Sequence, residues 1–132
     1  MKTYHGSCHC GAVRFEADID MSLGTIKCNC TICTKMRFWG AQVGPDAFRL
    51  LEGKEELGEY RYHSMRDGHF FCKRCGIHTF STGDSPRMGP FYAVFVACLD
   101  DLPVDELMGA PVRVLDGRND NWATAPSEIR HL

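Results

Sequence analysis

The positions of seven cysteines constrain the fold of this 132-residue chain more than any other feature. They form two outer pairs, at residues 8 and 10 and at residues 72 and 75, and a central group of three within residues 28–33. In a secreted protein this density would indicate disulfides, whereas in a reducing compartment it favours metal ligation. The compartment therefore decides which kind of cross-link the spacing predicts.

The rest of the chain favours a reducing compartment. No apolar run stands at the N-terminus, and no segment approaches the roughly 18 apolar residues of a membrane span. We therefore expect a cytoplasmic protein without a membrane partner, whose cysteines bind metal. The formal net charge is -2, from 15 basic and 17 acidic residues. Because no positive field favours a polyanion, we expect no nucleic-acid partner.

Short alternating segments predict a mainly β fold, and the length fits one domain over residues 1–132. Alternation predicts strands at 11–18, 41–43, 47–51, 59–63, 77–81 and 112–115. The continuous apolar run 90–99 predicts a central strand that is covered on both faces. A helical turn is predicted at 104–108, and another at 54–57 is the alternative to an open turn. Only these two helical segments interrupt the strands.

The outer pairs predict one closed site on Cys8, Cys10, Cys72 and Cys75. The second pair belongs to a Cys-x-x-Cys-Gly turn at the tip of a hairpin, where Gly76 can adopt a positive φ. The first pair lies at a bend, where extended i and i+2 spacing would direct both sulfurs to the same side. A metal ion could close the long loop between the pairs, because the entropic cost of closing a loop grows only logarithmically with its length. Disulfides or free thiols remain the alternatives.

The remaining group, Cys28, Cys30 and Cys33, supplies three thiolates without an evident fourth ligand. Catalytic zinc sites typically have three protein ligands and one open position. Thiolates favour Zn(II) over Mg(II) or Ca(II), although Fe(II), Co(II) and Cu(I) are also compatible. A redox dithiol, or a second structural site closed by a histidine, is the alternative. Cys98 lies inside the apolar run and is expected to be a core thiol.

Four motifs resemble a known family when their order and spacing are taken together. They are CHCGAVRF at residues 8–15, CNCTIC at 28–33, CKRCGIH at 72–78 and PFY at 90–92. In this combination the chain resembles the glutathione-dependent formaldehyde-activating enzymes, which are grouped with centromere protein V. The resemblance implies an Mss4-like zinc-binding fold of short antiparallel strands and hairpins with little helix. It also implies two zinc ions, a structural one on the outer pairs and a labile, catalytic one on the central group.

The activity implied by this resemblance is that of a carbon-sulfur lyase, which forms S-hydroxymethylglutathione from glutathione and formaldehyde. Lys35 and Arg37 belong either to a solvated face or to a site for a glutathione carboxylate. The run 34–40 is bulkier than the small residues expected in many members, and we expect it to decide which substrate enters. The other hypotheses are a non-catalytic zinc-binding interaction module and a thiol redox enzyme. The oligomeric state stays open, with a homodimer as one option.

Overall fold

A computed structural model describes residues 1–62 and 67–132, and these residues confirm the mainly β class. They contain ten strands and two short helices, joined by turns of which five are 3-10 helices. The strands are β1 Lys2–Ser7, β2 Arg14–Ile19, β3 Thr25–Cys28, β4 Trp39–Val43, β5 Phe48–Glu52, β6 Leu57–Tyr60, β7 Gly68–Cys72, β8 His78–Ser85, β9 Gly89–Phe95 and β10 Val112–Leu115. The helices are α1 Thr31–Met36 and α2 Val104–Gly109.

The strands form two sheets. The smaller sheet has the order β1-β2-β5, and the larger has the order β10-β3-β4-β9-β8-β7-β6. The pairs are antiparallel except that β10 runs parallel to β3. Strand β9 lies in the middle of the larger sheet, which confirms the central strand predicted from the apolar run. The strand ends earlier than predicted, because Val96–Cys98 turn into a 3-10 helix.

The core lies between the sheets and is rich in aromatic side chains. Phe15 and Phe48 come from the smaller sheet, whereas Phe80 and Tyr92 come from the larger one. The rings of Phe48 and Tyr92 stack with centroids 4.3 Å apart, and Phe80 lies 4.6 Å from Phe48. Such pairs contribute about 0.5–1.5 kcal/mol each beyond the area that they bury. The alternation seen in the sequence thus directs one face of each sheet into a shared core.

Several predicted boundaries differ from the observed ones. The strand predicted at 11–18 begins at Arg14, because the N–H of Gly11 donates to the carbonyl of Cys8 and closes a turn. Gly11 permits this turn by adopting a φ of +79°. The strand predicted at 59–63 is β6, which ends at Tyr60, and residue 63 lies outside the described residues. The alternative helical turn at 54–57 is confirmed as a 3-10 helix, Lys54–Glu56.

The elements that position cysteines are predicted in part. The hairpin of β7 and β8 is confirmed, with residues 73–77 at its tip. The strand at 112–115 and the helical turn at 104–108 are also confirmed, as β10 and α2. Strands β1 and β3 and helix α1 were not predicted. Within the described residues no helix has the length and apolar character needed to cross a membrane.

Candidate metal centres

The four outer cysteines converge on one point in the structure. The sulfurs of Cys8, Cys10, Cys72 and Cys75 all lie within 4.8 Å of one another. Two of the sulfur–sulfur distances, from Cys10 to Cys8 and to Cys72, are 3.7 Å. A disulfide would require about 2.05 Å. A tetrahedral zinc site with bonds of about 2.3 Å has sulfur–sulfur edges of about 3.8 Å. The group therefore has the dimensions of a four-sulfur metal site.

Backbone N–H groups surround these sulfurs. The N–H of Val13 donates to the Cys8 sulfur and the N–H of Arg74 donates to the Cys72 sulfur, each at 3.3 Å. Gly76 has the predicted positive φ, +78°, and its N–H donates to the carbonyl of Cys72. Donors of this kind stabilise the thiolate form, which is the form that binds metal. The turns are thus built to hold negatively charged sulfurs.

The thiol of Cys75 shows the effect of these donors. Burial by itself raises its pKa, but hydrogen bonds from the backbone N–H groups of Cys10 and Ile77, together with those from the Cys72 and Cys8 thiols, lower the pKa to about 6. Cys10 and Cys75 come from different hairpins, one between β1 and β2 and the other between β7 and β8. The hairpins belong to different sheets. A cation held here would therefore link the two sheets covalently.

The central cysteines form a second group around helix α1. Cys28 ends β3, Cys30 is the N-cap of α1, and Cys33 lies in the first turn of that helix. Their sulfurs lie within 4.8 Å of one another. In the described part of the chain no histidine or carboxylate joins this group. Cys28 is 6% exposed, whereas Cys30 and Cys33 are partly exposed. The group therefore has a buried side and a side that solvent reaches.

Charge distribution within this group favours a cation. Hydrogen bonds from Cys28 and Cys33 hold the pKa of Cys30 well below the usual thiol value. Hydrogen bonds with its two neighbours raise the pKa of Cys33, and the one with Cys30 raises the pKa of Cys28. The sulfurs alone therefore favour a single negative charge, because adjacent like charges repel. A soft divalent cation such as Zn(II) would let all three ionise.

A buried polar network fixes the loop between Cys28 and Cys30. The side chain of Asn29 donates to Asp116 at 2.8 Å, and its side-chain oxygen accepts from the backbone N–H of Arg118 at 3.0 Å. The carbonyl of Asn29 accepts from Thr34 and from Nε of Arg118. Hydrogen bonds from Asn29 and then Asn119 hold the pKa of Asp116 below its usual value. The loop is thus tied to the segment that follows β10.

The sequence did not reveal this segment as part of the site. The segment after β10 lies next to the central cysteines because β10 pairs in parallel with β3, which places Leu115 opposite Cys28. The Asp-Gly turn after β10 signals a bend, but no local pattern identifies a partner strand so distant in sequence. Gly117 shows how close the segment lies. A Cβ at Gly117 would be 2.8 Å from the Cys28 sulfur and 2.8 Å from the ring edge of Trp122.

Gly117→Ala is therefore expected to weaken metal binding by the central group. The added methyl would displace a ligand sulfur, and changes next to metal ligands typically cost about 10- to 100-fold in affinity. Zinc competition titrations should show this loss at one of two ions per chain. Gly44→Ala is the matched control, because its Cβ would meet no atom within 4 Å. Equal affinities in the two variants would contradict the placement of Gly117.

The aromatic side chain of Tyr62 approaches the central group at the start of α1. Tyr62 hydrogen-bonds with Thr31 at the start of the helix, and burial followed by the charge of Cys30 raises the Tyr62 pKa. The ring of Tyr62 stacks on His69 with centroids 5.9 Å apart. No local sequence pattern predicts this contact, because Tyr62 and Thr31 come from distant segments. Tyr62 thus contacts the helix that carries Cys33.

Lys35 and Arg37, the predicted carboxylate-binding residues, are both exposed. Arg37 has a left-handed backbone at the end of α1, and its Nη1 donates to the carbonyl of His131 at 2.5 Å. In the bulky run 34–40, Phe38 is buried and packs edge-to-face on Phe95. That ring therefore serves the core. Substrate binding by Lys35 or Arg37 stays a prediction.

The eighth cysteine has the predicted role. Cys98 is buried, and its thiol donates to the carbonyl of His78 at 3.4 Å. Burial raises the pKa of Cys98 to about 12, so it is protonated at neutral pH. His78 itself packs between Phe71 and Phe95 rather than among the cysteines. Cys98 is therefore a core residue that lies outside both groups.

Comparisons with known proteins agree with this arrangement. The family model described as glutathione-dependent formaldehyde-activating enzyme matches residues 3–113, which include all seven grouped cysteines. The chain is also similar to a Rhodobacter sphaeroides protein whose crystal structure comes from a structural genomics programme. The TM-score is 0.70 at 28% sequence identity, and the match covers 83% of this chain and 99% of the other. This chain belongs to the glutathione-dependent formaldehyde-activating enzyme family.

Proposed function

We propose that this protein is a zinc-dependent carbon-sulfur lyase that adds the thiol of glutathione to formaldehyde or another small aldehyde. The observation that carries the proposal is the difference between the two cysteine groups. One has four sulfurs and fits a closed structural site, whereas the other has three sulfurs and a solvent-facing side. Three ligands and an open position are typical of catalytic zinc. Membership of the family supports the same reaction.

The donor sets imply two zinc ions per chain. Zinc bound by Cys28, Cys30 and Cys33 would supply a deprotonated substrate sulfur at neutral pH. In the reaction a sulfur–carbon bond forms while the carbonyl π bond of the aldehyde breaks. The aldehyde oxygen takes up a proton to replace the one that the thiol lost, so no oxidant or reductant is needed. The reverse reaction breaks the carbon–sulfur bond.

The protein itself contributes by holding the residues of the site in fixed positions. Cys28 is held at the end of a strand, and Asn29 is held by the buried network with Asp116. The ring of Trp122 lies beside the Cys28 sulfur, and Tyr62 contacts Thr31, the residue after Cys30. Holding two reactants in a fixed geometry can contribute several kcal/mol, up to about 7–11 kcal/mol in the best cases. The fixed loop between Cys28 and Cys30 is consistent with such a role.

A chelation experiment tests this proposal. We expect purified protein to contain two zinc ions per chain, of which mild chelation removes one. Acceleration of S-hydroxymethylglutathione formation, measured by NMR, should disappear with that ion and return when zinc is added. The circular dichroism spectrum should stay unchanged, because the four-cysteine site retains its ion.

The competing hypotheses give different results in this experiment. A redox enzyme would remain active after chelation and would show a reversible disulfide within the central group by mass spectrometry. An interaction module would bind zinc without accelerating adduct formation against any thiol and aldehyde tested. Either outcome would contradict the lyase proposal.

A further inference from the structure

Arg118 is held directly against the central cysteine motif. Its Nε–H donates to the carbonyl of Asn29 at 3.0 Å, and its backbone N–H donates to the Asn29 side chain at 3.0 Å. Asn29 stands between Cys28 and Cys30 in the sequence. The residue before Arg118 is Gly117, whose Cβ position is 2.8 Å from the Cys28 sulfur. Two hydrogen bonds to one residue therefore fix this cation at the rim of the three-cysteine site.

The outer edge of this guanidinium is open. Arg118 is exposed, and within residues 1–62 and 67–132 its terminal nitrogens have no hydrogen bond or ion pair. A guanidinium binds a carboxylate through two parallel N–H···O bonds, and a group already fixed in place loses little side-chain entropy on binding. Arg37 differs, because one of its terminal nitrogens already donates to the carbonyl of His131.

The charge around the site explains why a cation is needed there. Three thiolates with one divalent cation have a net charge of -1. The carboxylate of Asp116, which accepts a hydrogen bond from the Asn29 side chain, adds another negative charge nearby. A substrate with its own carboxylate would be repelled by this negative charge. Because the whole chain has a formal charge of -2, no general positive field offsets the repulsion. Within residues 1–62 and 67–132, Arg118 is the cationic residue that hydrogen-bonds to the loop of residues 28–30.

The ring of Trp122 adjoins the central cysteine group beside Gly117. The ring edge of Trp122 and the Cys28 sulfur both lie 2.8 Å from the position that a Cβ atom would take at Gly117. Trp122 is 58% exposed, and its indole N–H donates to Asp120, which fixes the ring. Trp122 therefore offers an apolar surface next to the position that a substrate sulfur would take at this group. The geometry thus combines a sulfur position, a cation and an apolar surface.

We propose that Arg118 determines substrate specificity by binding a carboxylate of the thiol substrate. The substrate class is then a thiol that carries a carboxylate, as glutathione does, and neutral thiols are disfavoured. This inference deepens the proposed function and rests on it for the identity of the reacting group. Arg118 lies beyond residues 3–113, so the match to the family model does not include it.

Binding measurements test the role of Arg118 without depending on catalysis. Isothermal titration calorimetry would compare glutathione with its diethyl ester, in which both carboxylates are masked, on the two-zinc protein. We expect Arg118→Gln to weaken glutathione binding about 10- to 100-fold, the range for losing hydrogen bonds to a charged group. The same variant should bind the ester within about twofold of the wild type, because no carboxylate interaction is lost.

Two further variants separate charge from structure. Arg118→Lys keeps the charge but lacks the planar fork, so an intermediate loss is expected. Arg87→Gln is the control, because Arg87 is exposed in the turn between β8 and β9, at the opposite end of the sheet from Cys28. The zinc content should remain two per chain in each variant. The loop should keep its shape, since Thr34 still donates to the Asn29 carbonyl.

The possible results distinguish this inference from the proposed function. Equal weakening of glutathione and ester in Arg118→Gln would overturn the inference and assign a structural role. Loss of selectivity in Arg37→Gln instead would overturn it in favour of Arg37. If adduct formation persists in the wild type while Arg118→Gln retains selectivity, only this inference fails. If the wild type discriminates glutathione from the ester through Arg118 but never accelerates adduct formation, only the lyase proposal fails.

Discussion

Cys72→Ser is expected to abolish the cooperative fold. The Cys72 side chain is 0% exposed, and its sulfur lies 3.7 Å from that of Cys10 in the four-cysteine group. Serine would replace a ligand with a buried hydroxyl and leave the hairpins of the two sheets without their link. Structural zinc contributes about 10–16 kcal/mol to folding in small zinc-finger peptides. Because a typical domain is stable by only about 5–15 kcal/mol, losing this ion is enough to unfold the chain.

Thermal unfolding followed by circular dichroism, together with zinc analysis, would measure this effect. Cys98→Ser is the matched control, since Cys98 is also buried but belongs to neither group. Its serine can still donate to the carbonyl of His78, so we expect two zinc ions and a melting temperature within a few degrees of the wild type. A Cys72→Ser protein with a wild-type melting curve would show that the four-cysteine group is not structural.

The grouping of the cysteines could be predicted because it depends on local spacing. Cys72 and Cys75 form a turn with Gly76, and Cys8 and Cys10 are the other isolated pair, so few divisions were possible. The structure brings the same seven sulfurs into the same two groups. Their metal content stays a prediction. One detail of the prediction for Cys8 and Cys10 was wrong. Their sulfurs are brought together by a turn, closed by the Gly11 N–H, and not by an extended segment.

The surroundings of the central group could not be predicted, because they depend on contacts between distant segments. Parallel pairing of β10 with β3 carries Gly117, Arg118 and Trp122 to the site, and no periodicity encodes that pairing. Sequence reasoning instead chose Lys35 and Arg37, which are the cations nearest to Cys33 along the chain. Helix α1 was missed because it begins with Thr-Ile-Cys-Thr, four residues of low helix propensity.

Cys30→Ser is expected to remove catalysis while the fold remains. Cys30 is the N-cap of α1, and serine is among the best N-cap residues, so the helix should keep its start. The side chain is partly exposed and belongs to no core cluster, and the four-cysteine group is unchanged. The variant should therefore melt within a few degrees of the wild type. Two thiolates, however, are too few to retain a labile zinc ion against competing ligands.

We expect zinc analysis of Cys30→Ser to give one ion per chain instead of two. Acceleration of adduct formation should fall by at least about 100-fold, since ligand loss costs more than the 10- to 100-fold of changes beside a ligand. NMR of glutathione and formaldehyde mixtures would measure this rate, again with Cys98→Ser as the control. Full activity with a single zinc ion would place the chemistry outside the central group. Because Cys30→Ser spares the fold and Cys72→Ser does not, the pair would assign catalysis and folding to separate sites.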